Sequence, residues 1–332
     1  MKGVILEGPR KLTYGEYMDP VLNDNGVLIK VAYCGICGSD IHKYEGQKTI
    51  RPLTFPVLLG HEISGVVCQV GKDVTGFKVG DRITADPNYA CKECFYCQKG
   101  QFNFCENSKG VVKGMAEYVQ VPEANVYHLP DSLSLKDAAL SEPLSCCLHG
   151  IKKLELEKDE NVAIIGLGAI GTIMAEVIKN TSSNIMVIDT DESKRDKAKE
   201  LGIRLFVNPL NEDIKQTMED NGFKHTQKFI ECVGSPKTLN MAIDIADNCS
   251  TIVLFGLYNG MAEFDYGALI HKELELKAAM LNPSTMNQAI ELLAEHKLDT
   301  DMIISKIIKP SEVIEEFEKR EFLSKGKVLV EF

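Results

Sequence analysis

Residues 34 to 62 gather the side chains best suited to chemistry, opening Cys34-Gly35-Ile36-Cys37-Gly38-Ser39-Asp40-Ile41-His42 and closing Gly60-His61-Glu62. A thiolate, an imidazole and a carboxylate in one short span are donors for a divalent metal, and the flanking glycines let the backbone of turns approach closely. The stretch reads as a catalytic zinc site, although a single Cys or His is more commonly core or surface.

A second cluster runs Cys91-Lys-Glu-Cys94-Phe-Tyr-Cys97-Gln-Lys-Gly-Gln-Phe-Asn-Phe-Cys105, a CxxCxxCx7C array. Four thiolates this close fill the closed tetrahedral shell of a structural zinc and leave no position for water. The competing pattern is an iron–sulfur run of the bacterial ferredoxin type. That run spaces its last cysteine more closely and follows it with proline, where this chain has Glu106.

The third constellation is Gly166-Leu167-Gly168-Ala169-Ile170-Gly171, which fits GxGxxG. It follows the apolar stretch Asn161 to Ile165, precedes helical spacing from Thr172 to Lys179, and leads to a second stretch, Asn184 to Ile188, that ends in Asp189. Strand, glycines, helix, strand and acid in that order predict dinucleotide binding. The glycines and the helix N-terminus admit a pyrophosphate, and Asp189 accepts hydrogen bonds from the adenosine ribose. An acid there repels a 2′-phosphate and favours NAD over NADP, while nearby Lys194 and Arg195 weaken that preference. Those two cations also fit a solvated helix face, because Asp191, Glu192, Asp196, Lys197 and Lys199 surround them.

These motifs need elements to carry them. With 332 residues the chain exceeds one ordinary core, so two domains are expected. A hydrophobic content of 44% and a charged content of 26% are those of a globular protein in water. The net charge of −11 argues against nucleic acid or an anionic membrane as partner. Charge interrupts Met1 to Glu7 before a secretory apolar core could form, and Val162 to Ile178 carries glycines and Glu176, unlike a membrane span. Eleven cysteines without an export signal imply a reducing compartment, the cytoplasm.

Residues 1–85 alternate apolar and polar in short runs, as in Gly26 to Tyr33 and Ile63 to Val70, so a β-rich domain is expected whose loops carry the first stretch. Ala116 to Val121 is a further strand, and Ser141-Glu142-Pro143-Leu144 heads a helix, where a carboxylate also suits the first turn. Strand and helix then alternate through Lys228 to Gly234 and Thr251 to Gly256, the rhythm of a doubly wound parallel sheet. Val233, Gly234, Gly256 and Leu257, at the carboxyl ends of those strands, are expected to border the cofactor. The tail predicts helices over 287–297 and 311–319 and a closing strand over 327–332.

Taken jointly, these motifs resemble the zinc-containing medium-chain dehydrogenase/reductase superfamily over nearly the whole chain, and most closely its polyol (sorbitol) dehydrogenase branch. The resemblance implies a Rossmann domain at 146–279 inserted in a GroES-like β-rich catalytic domain at 1–145, with 280–332 returning to the catalytic part. It implies that Cys37 and His61 bind catalytic zinc, that Glu62 is a ligand able to exchange with water or substrate, and that Asp40 orients His61. Glu142 falls where the branch places a glutamate, bound directly or through water, with Cys146 and Cys147 as rival ligands. These two, like Cys34, Cys68, Cys232 and Cys249, are otherwise read as buried small hydrophobes. Ser39 and His42 fall where the family places proton-relay groups, Tyr44 where the branch has an aromatic near substrate, and Lys194 where a ribose-contacting Arg stands.

One departure concerns the segment after Lys277, where the polyol branch carries an Arg near substrate. This chain has Ala278-Ala-Met-Leu-Asn282, with Asn282 able to bond a hydroxyl. The implied activity is hydride transfer between the secondary hydroxyl of a polyol or sugar alcohol, possibly phosphorylated, and NAD, with two zinc ions per chain and a homo-oligomer, dimer or tetramer, as the assembly. A threonine-dehydrogenase-like or simple secondary-alcohol activity shares every motif, and a non-enzymatic zinc- and dinucleotide-binding protein is the alternative from another class.

Overall fold

The computed structural model describes residues 1–47, 53–182, 184–320 and 325–332. Gly26–Gly35 is the central strand of a seven-stranded sheet. On one side it pairs antiparallel with Glu62–Val70, and on the other with Tyr118–Pro122 and then Lys327–Glu331. Arg82–Ala85, Val126–His128 and Ile304–Ile308 complete the sheet. Its inward side chains Val27, Ile29, Ile63, Ile83, Val121 and Val330 are fully buried, the outcome expected of period-two alternation.

The first stretch does not lie wholly on loops. Gly38–Tyr44 is a short helix whose first turn is closed by Asp40 Oδ2 accepting the Cys37 N–H at 3.3 Å. Two turns are too few for an apolar stripe to be read against the surrounding strands.

The second sheet has six parallel strands in the spatial order Leu205–Val207, Ile185–Ile188, Val162–Ile165, Lys228–Glu231, Thr251–Leu254 and Glu275–Ala278. The order reverses beside Val162–Ile165, and that switch point is where open α/β sheets bind ligands. Lys228–Glu231 and Thr251–Leu254 stop short of Gly234 and Gly256, which lie in the loops beyond.

The two halves are joined more closely than a cut at 145/146 implies. The helix Ser141–Lys152 runs through that boundary. Its Leu144 and Leu148 share one core with Ile173 and Ile178 of the helix Ala169–Ile178 and with Ala289, Ile290 and Leu293 of the helix Met286–Ala294. The tail therefore packs on the dinucleotide half at first and rejoins the β-rich sheet only at Ile304–Ile308, a strand that together with the helix Thr300–Ile303 has no clear sequence signal. Among the described residues no helix is long and apolar enough to cross a membrane.

Candidate active site

The sheet register assembles the metal donors. Gly35 stands opposite Glu62 on one side and Leu329 on the other, so the chain leaves one strand towards Cys37 beside the point where it enters the next from His61. Donor atoms of Cys37, His61 and Glu62 consequently lie within 4.8 Å of one another. Glu62 is buried. Its Oε1 accepts from Lys327 Nζ at 2.7 Å, while Oε2 is buried with no hydrogen-bond partner. An orphaned carboxylate oxygen beside a thiol and an imidazole is the donor set that a bound zinc would complete. Gly35 makes room for it, since a Cβ there would stand 2.0 Å from Glu62 Oε2.

Asp40 is fully buried beneath these groups, with Oδ1 3.7 Å from His61 Nδ1 and 2.9 Å from Lys43 Nζ. Burial would raise its carboxyl, but Lys43 and then His61 prevail and hold it far below the usual carboxylate range. Burial pulls the His61 imidazole down, yet the Cys37 thiolate and Asp40 carry it well above its ordinary value. Glu142, in the first turn of Ser141–Lys152, is also buried. Burial pushes it up to about 7, with His61 opposing and Glu62 adding to the rise. It stands outside the compact group of three donors and accepts from Cys146 Sγ at 3.5 Å.

The sulfur atoms of Cys91, Cys94, Cys97 and Cys105 lie within 4.8 Å of one another, and Cys91 and Cys97 are 4.0 Å apart. Tetrahedral zinc, with bonds of about 2.3 Å to sulfur, spaces its ligands by about 3.8 Å, so the lobe fits the ion. Backbone N–H groups of Glu93 and Cys94 pull the Cys91 thiol down to about 6, towards the thiolate that metals bind.

At the switch point the glycine turn has the close packing that the motif requires. A Cβ on Gly171 would lie 1.9 Å from the Gly166 carbonyl oxygen. Gly168 caps the helix Ala169–Ile178, on which Ile170 packs against the core. Asp189 Oδ2 accepts from the Leu167 N–H and from Lys194 Nζ, both at 2.7 Å, and Oδ1 accepts from the Asp191 N–H at 2.9 Å. Lys194 is thus tied to the acid expected to face the ribose. Arg195 is committed elsewhere, to Glu192, Glu212 and the Phe206 carbonyl. Val233 and Leu257 stand half-exposed at the strand ends.

The comparisons agree with this geometry. Residues 23–131 match the family described as alcohol dehydrogenase GroES-like domain, and residues 166–295 match zinc-binding dehydrogenase. D-arabitol-phosphate dehydrogenase of Enterococcus avium is 34% identical, covering 100% of this chain and 97% of the relative. Sorbitol dehydrogenase of Halalkalibacterium halodurans is 33% identical over 87% of each. A crystal structure of a zinc-binding dehydrogenase from Sinorhizobium meliloti bound to NADP superposes with a TM-score of 0.92 at 30% identity, covering 100% of this chain and 99% of that one. This chain belongs to the zinc-containing medium-chain dehydrogenases. It is an alcohol or polyol dehydrogenase that uses zinc and a nicotinamide dinucleotide.

The remaining expected positions of this dehydrogenase lie as follows. Ser39 is partly exposed on its short helix, and His42 Nδ1 bonds Gln47 Oε1, while among the described residues Nε2 has no hydrogen bond. Tyr44, expected near substrate, lies in the core with its ring edge-on to Phe317 at 5.6 Å. Asn282 is buried, donating to Ser145 Oγ at 2.9 Å and accepting from Asn88 Nδ2, so its amide braces the helix Ser141–Lys152. Cys34 and Cys147 are buried small hydrophobes, but Cys249 is exposed and Cys68, Cys146 and Cys232 are partly so. Cys249 has φ +59° in the turn before Thr251–Leu254, and turn geometry rather than burial sets its position.

Three residues escaped the sequence reading. Lys327 pairs with Glu62, and Lys43 pairs with Asp40. Glu231 accepts from the N–H groups of Val233 and Gly234 and so fixes the loop expected to border the cofactor. The readable signal for Lys327 is a lone cation opening the otherwise apolar Lys-Val-Leu-Val stretch.

Proposed function

We propose that this dehydrogenase oxidises the secondary hydroxyl of a polyol or sugar alcohol, free or phosphorylated, with NAD as its preferred acceptor, in the cytoplasm. The observation that carries the reading is the unpartnered Glu62 Oε2 beside Cys37 and His61, at the end of the sheet where Glu142 also enters. Cys37, His61 and Glu62 would hold zinc, with Glu142 facing it directly or through water, and the glycine turn with Asp189 would hold the dinucleotide. When bound, zinc supplies charge that makes the hydroxyl acidic near neutrality, and the nicotinamide accepts the hydride.

The chain's own residues do the rest. Lys327 fixes one oxygen of Glu62, so the carboxylate offers the other. Asp40 lies below His61, its charge facing the ring at 3.7 Å. Ser39 Oγ receives the hydroxyl proton and passes it to His42 Nε2, the nitrogen left open when Nδ1–H donates to Gln47. The acid at Asp189 supports NAD, because a 2′-phosphate there would meet a buried carboxylate.

The polyol class is supported by two relatives over 30% identical, one named for a phosphorylated pentitol and one for sorbitol. A panel of polyols, sugar-alcohol phosphates, simple secondary alcohols and threonine, run with NAD and NADP in parallel, tests it. The largest kcat/KM is expected for a polyol or its phosphate with NAD. Highest turnover with threonine or a simple alcohol would overturn the substrate class.

A further inference from the structure

Lys43 follows His42 on the helix Gly38–Tyr44, and its ammonium donates to Asp40 Oδ1 at 2.9 Å. The same oxygen is 3.7 Å from His61 Nδ1, beyond hydrogen-bond reach, while Oδ2 takes the Cys37 N–H at 3.3 Å. One fully buried carboxylate therefore serves the backbone of one metal donor, faces the ring of another and holds a lysine. A carboxylate that accepts from a metal-bound imidazole strengthens that ligand and tightens the site. Lys43 draws the accepting oxygen towards itself instead.

The charges point the same way. With a metal bound to hold Cys37 as thiolate and Glu142 ionised against its burial, these two with Asp40 and Glu62 are four anions around the site, and the cations facing them are Lys43 and Lys327, with Lys43 also near Cys34. A dication brings this set to neutrality with His61 uncharged. Without Lys43 the set carries an excess negative charge, which binds the metal more tightly and disfavours an alkoxide on it.

We propose that Lys43 is a positioning residue that sets the electrophilicity of the catalytic metal, engaging Asp40 so that the carboxylate stays off His61 and the site stays neutral. The inference rests on the zinc-dehydrogenase reading of the site. It assigns to this lysine a bound hydroxyl that ionises at lower pH, in exchange for a metal held less tightly.

The test uses the zinc-loaded enzyme with Lys43→Met, Lys43→Gln and Lys43→Arg. The first readout is the rate at which a chelator strips zinc from the catalytic site, taken as the release phase that disappears in Cys37→Ser. Lys43→Met is expected to release that zinc about tenfold more slowly, and the pH profile of kcat/KM for alcohol oxidation to move up by about one unit. Lys43→Gln behaves likewise and serves if the Met variant does not fold, whereas Lys43→Arg restores both properties. Release at or above the wild-type rate in the Met and Gln variants overturns the proposal, and faster release marks Lys43 as structural support only. If Cys37→Ser retains both release phases, the reading of the site itself fails, independently of Lys43.

Discussion

Asp189 gathers three donors on one side chain: the Leu167 N–H of the glycine turn, the Asp191 N–H of the following loop and the Lys194 ammonium. The proposed preference for NAD rests on this residue. Asp189→Ala removes the ribose acceptor and leaves Lys194 without its carboxylate, so a 2′-phosphate meets a cation instead of an anion. NAD affinity is expected to fall about 10- to 100-fold, the worth of hydrogen bonds to a charged group, while NADP holds or gains. Titration of both cofactors by fluorescence measures the ratio, and an unchanged ratio would remove Asp189 as the selector. At this scale the sequence was most legible where residue type alone limits chemistry, as with Cys37, His61, Glu62 and the four-cysteine run. Lys327 stood out only as a lone cation, its pairing hidden because Glu62 lies 265 positions away, and the packing of Tyr44 was hidden because only tertiary contacts decide which way a ring on a two-turn helix turns.

Among the elements, the helix Ser141–Lys152 does the most to unite the site. Its first turn presents Glu142 to the metal donors, and its buried face packs on both the helix Ala169–Ile178 and the helix Met286–Ala294. Thr285 Oγ1 donates to the Ser145 carbonyl at 2.7 Å, and Asn282 donates to Ser145 Oγ, so the segment after the last parallel strand clamps the same turn. Leu144, two residues after Glu142, is 1% exposed within the core these helices share. Leu144→Ala is expected to cost about 2 to 5 kcal/mol, read as a lower urea midpoint, and to weaken alcohol turnover more than NAD binding because Glu142 shifts with the turn. A loss below about 1 kcal/mol would mean that the turn is not anchored by this contact. The head of this helix was readable from Ser141-Glu142-Pro143, and so were four of the six parallel strands, while the edge strands Leu205–Val207 and Glu275–Ala278 were not. The helix Gly38–Tyr44 and the strand Ile304–Ile308 were not, since the first is too short for periodicity and the second has exposed Ser305, Lys306 and Ile307 along an edge.

Across the whole molecule, the order of motifs made the two-part architecture legible, but not how the parts interlock, because the pairing of Lys327–Glu331 with Gly26–Gly35 joins opposite ends of the chain. The four-cysteine lobe is the part with least protein to hold it. Its only sheet is the two-residue pair Asn88–Tyr89 with Lys109–Gly110, and Phe95, Tyr96 and Phe104 face solvent while Cys97 and Cys105 are its buried side chains. With sulfur at its centre in place of an apolar core, the lobe depends on the ion, whose binding energy serves as its folding energy. Cys94→Ser is therefore expected to lose one of the two zinc ions and to expose the aromatic residues of the lobe to chymotrypsin. NAD affinity should be unchanged, because the glycine turn and Asp189 share no contact with the lobe. Alcohol turnover should fall, since Asn103 Nδ2 donates to the Met280 carbonyl at 2.8 Å, two residues before Asn282 and its hold on the Glu142 helix. Zinc content, limited digestion and cofactor titration on one preparation check all three. A metal-depleted lobe that still resists chymotrypsin would mean that protein contacts alone suffice to hold it.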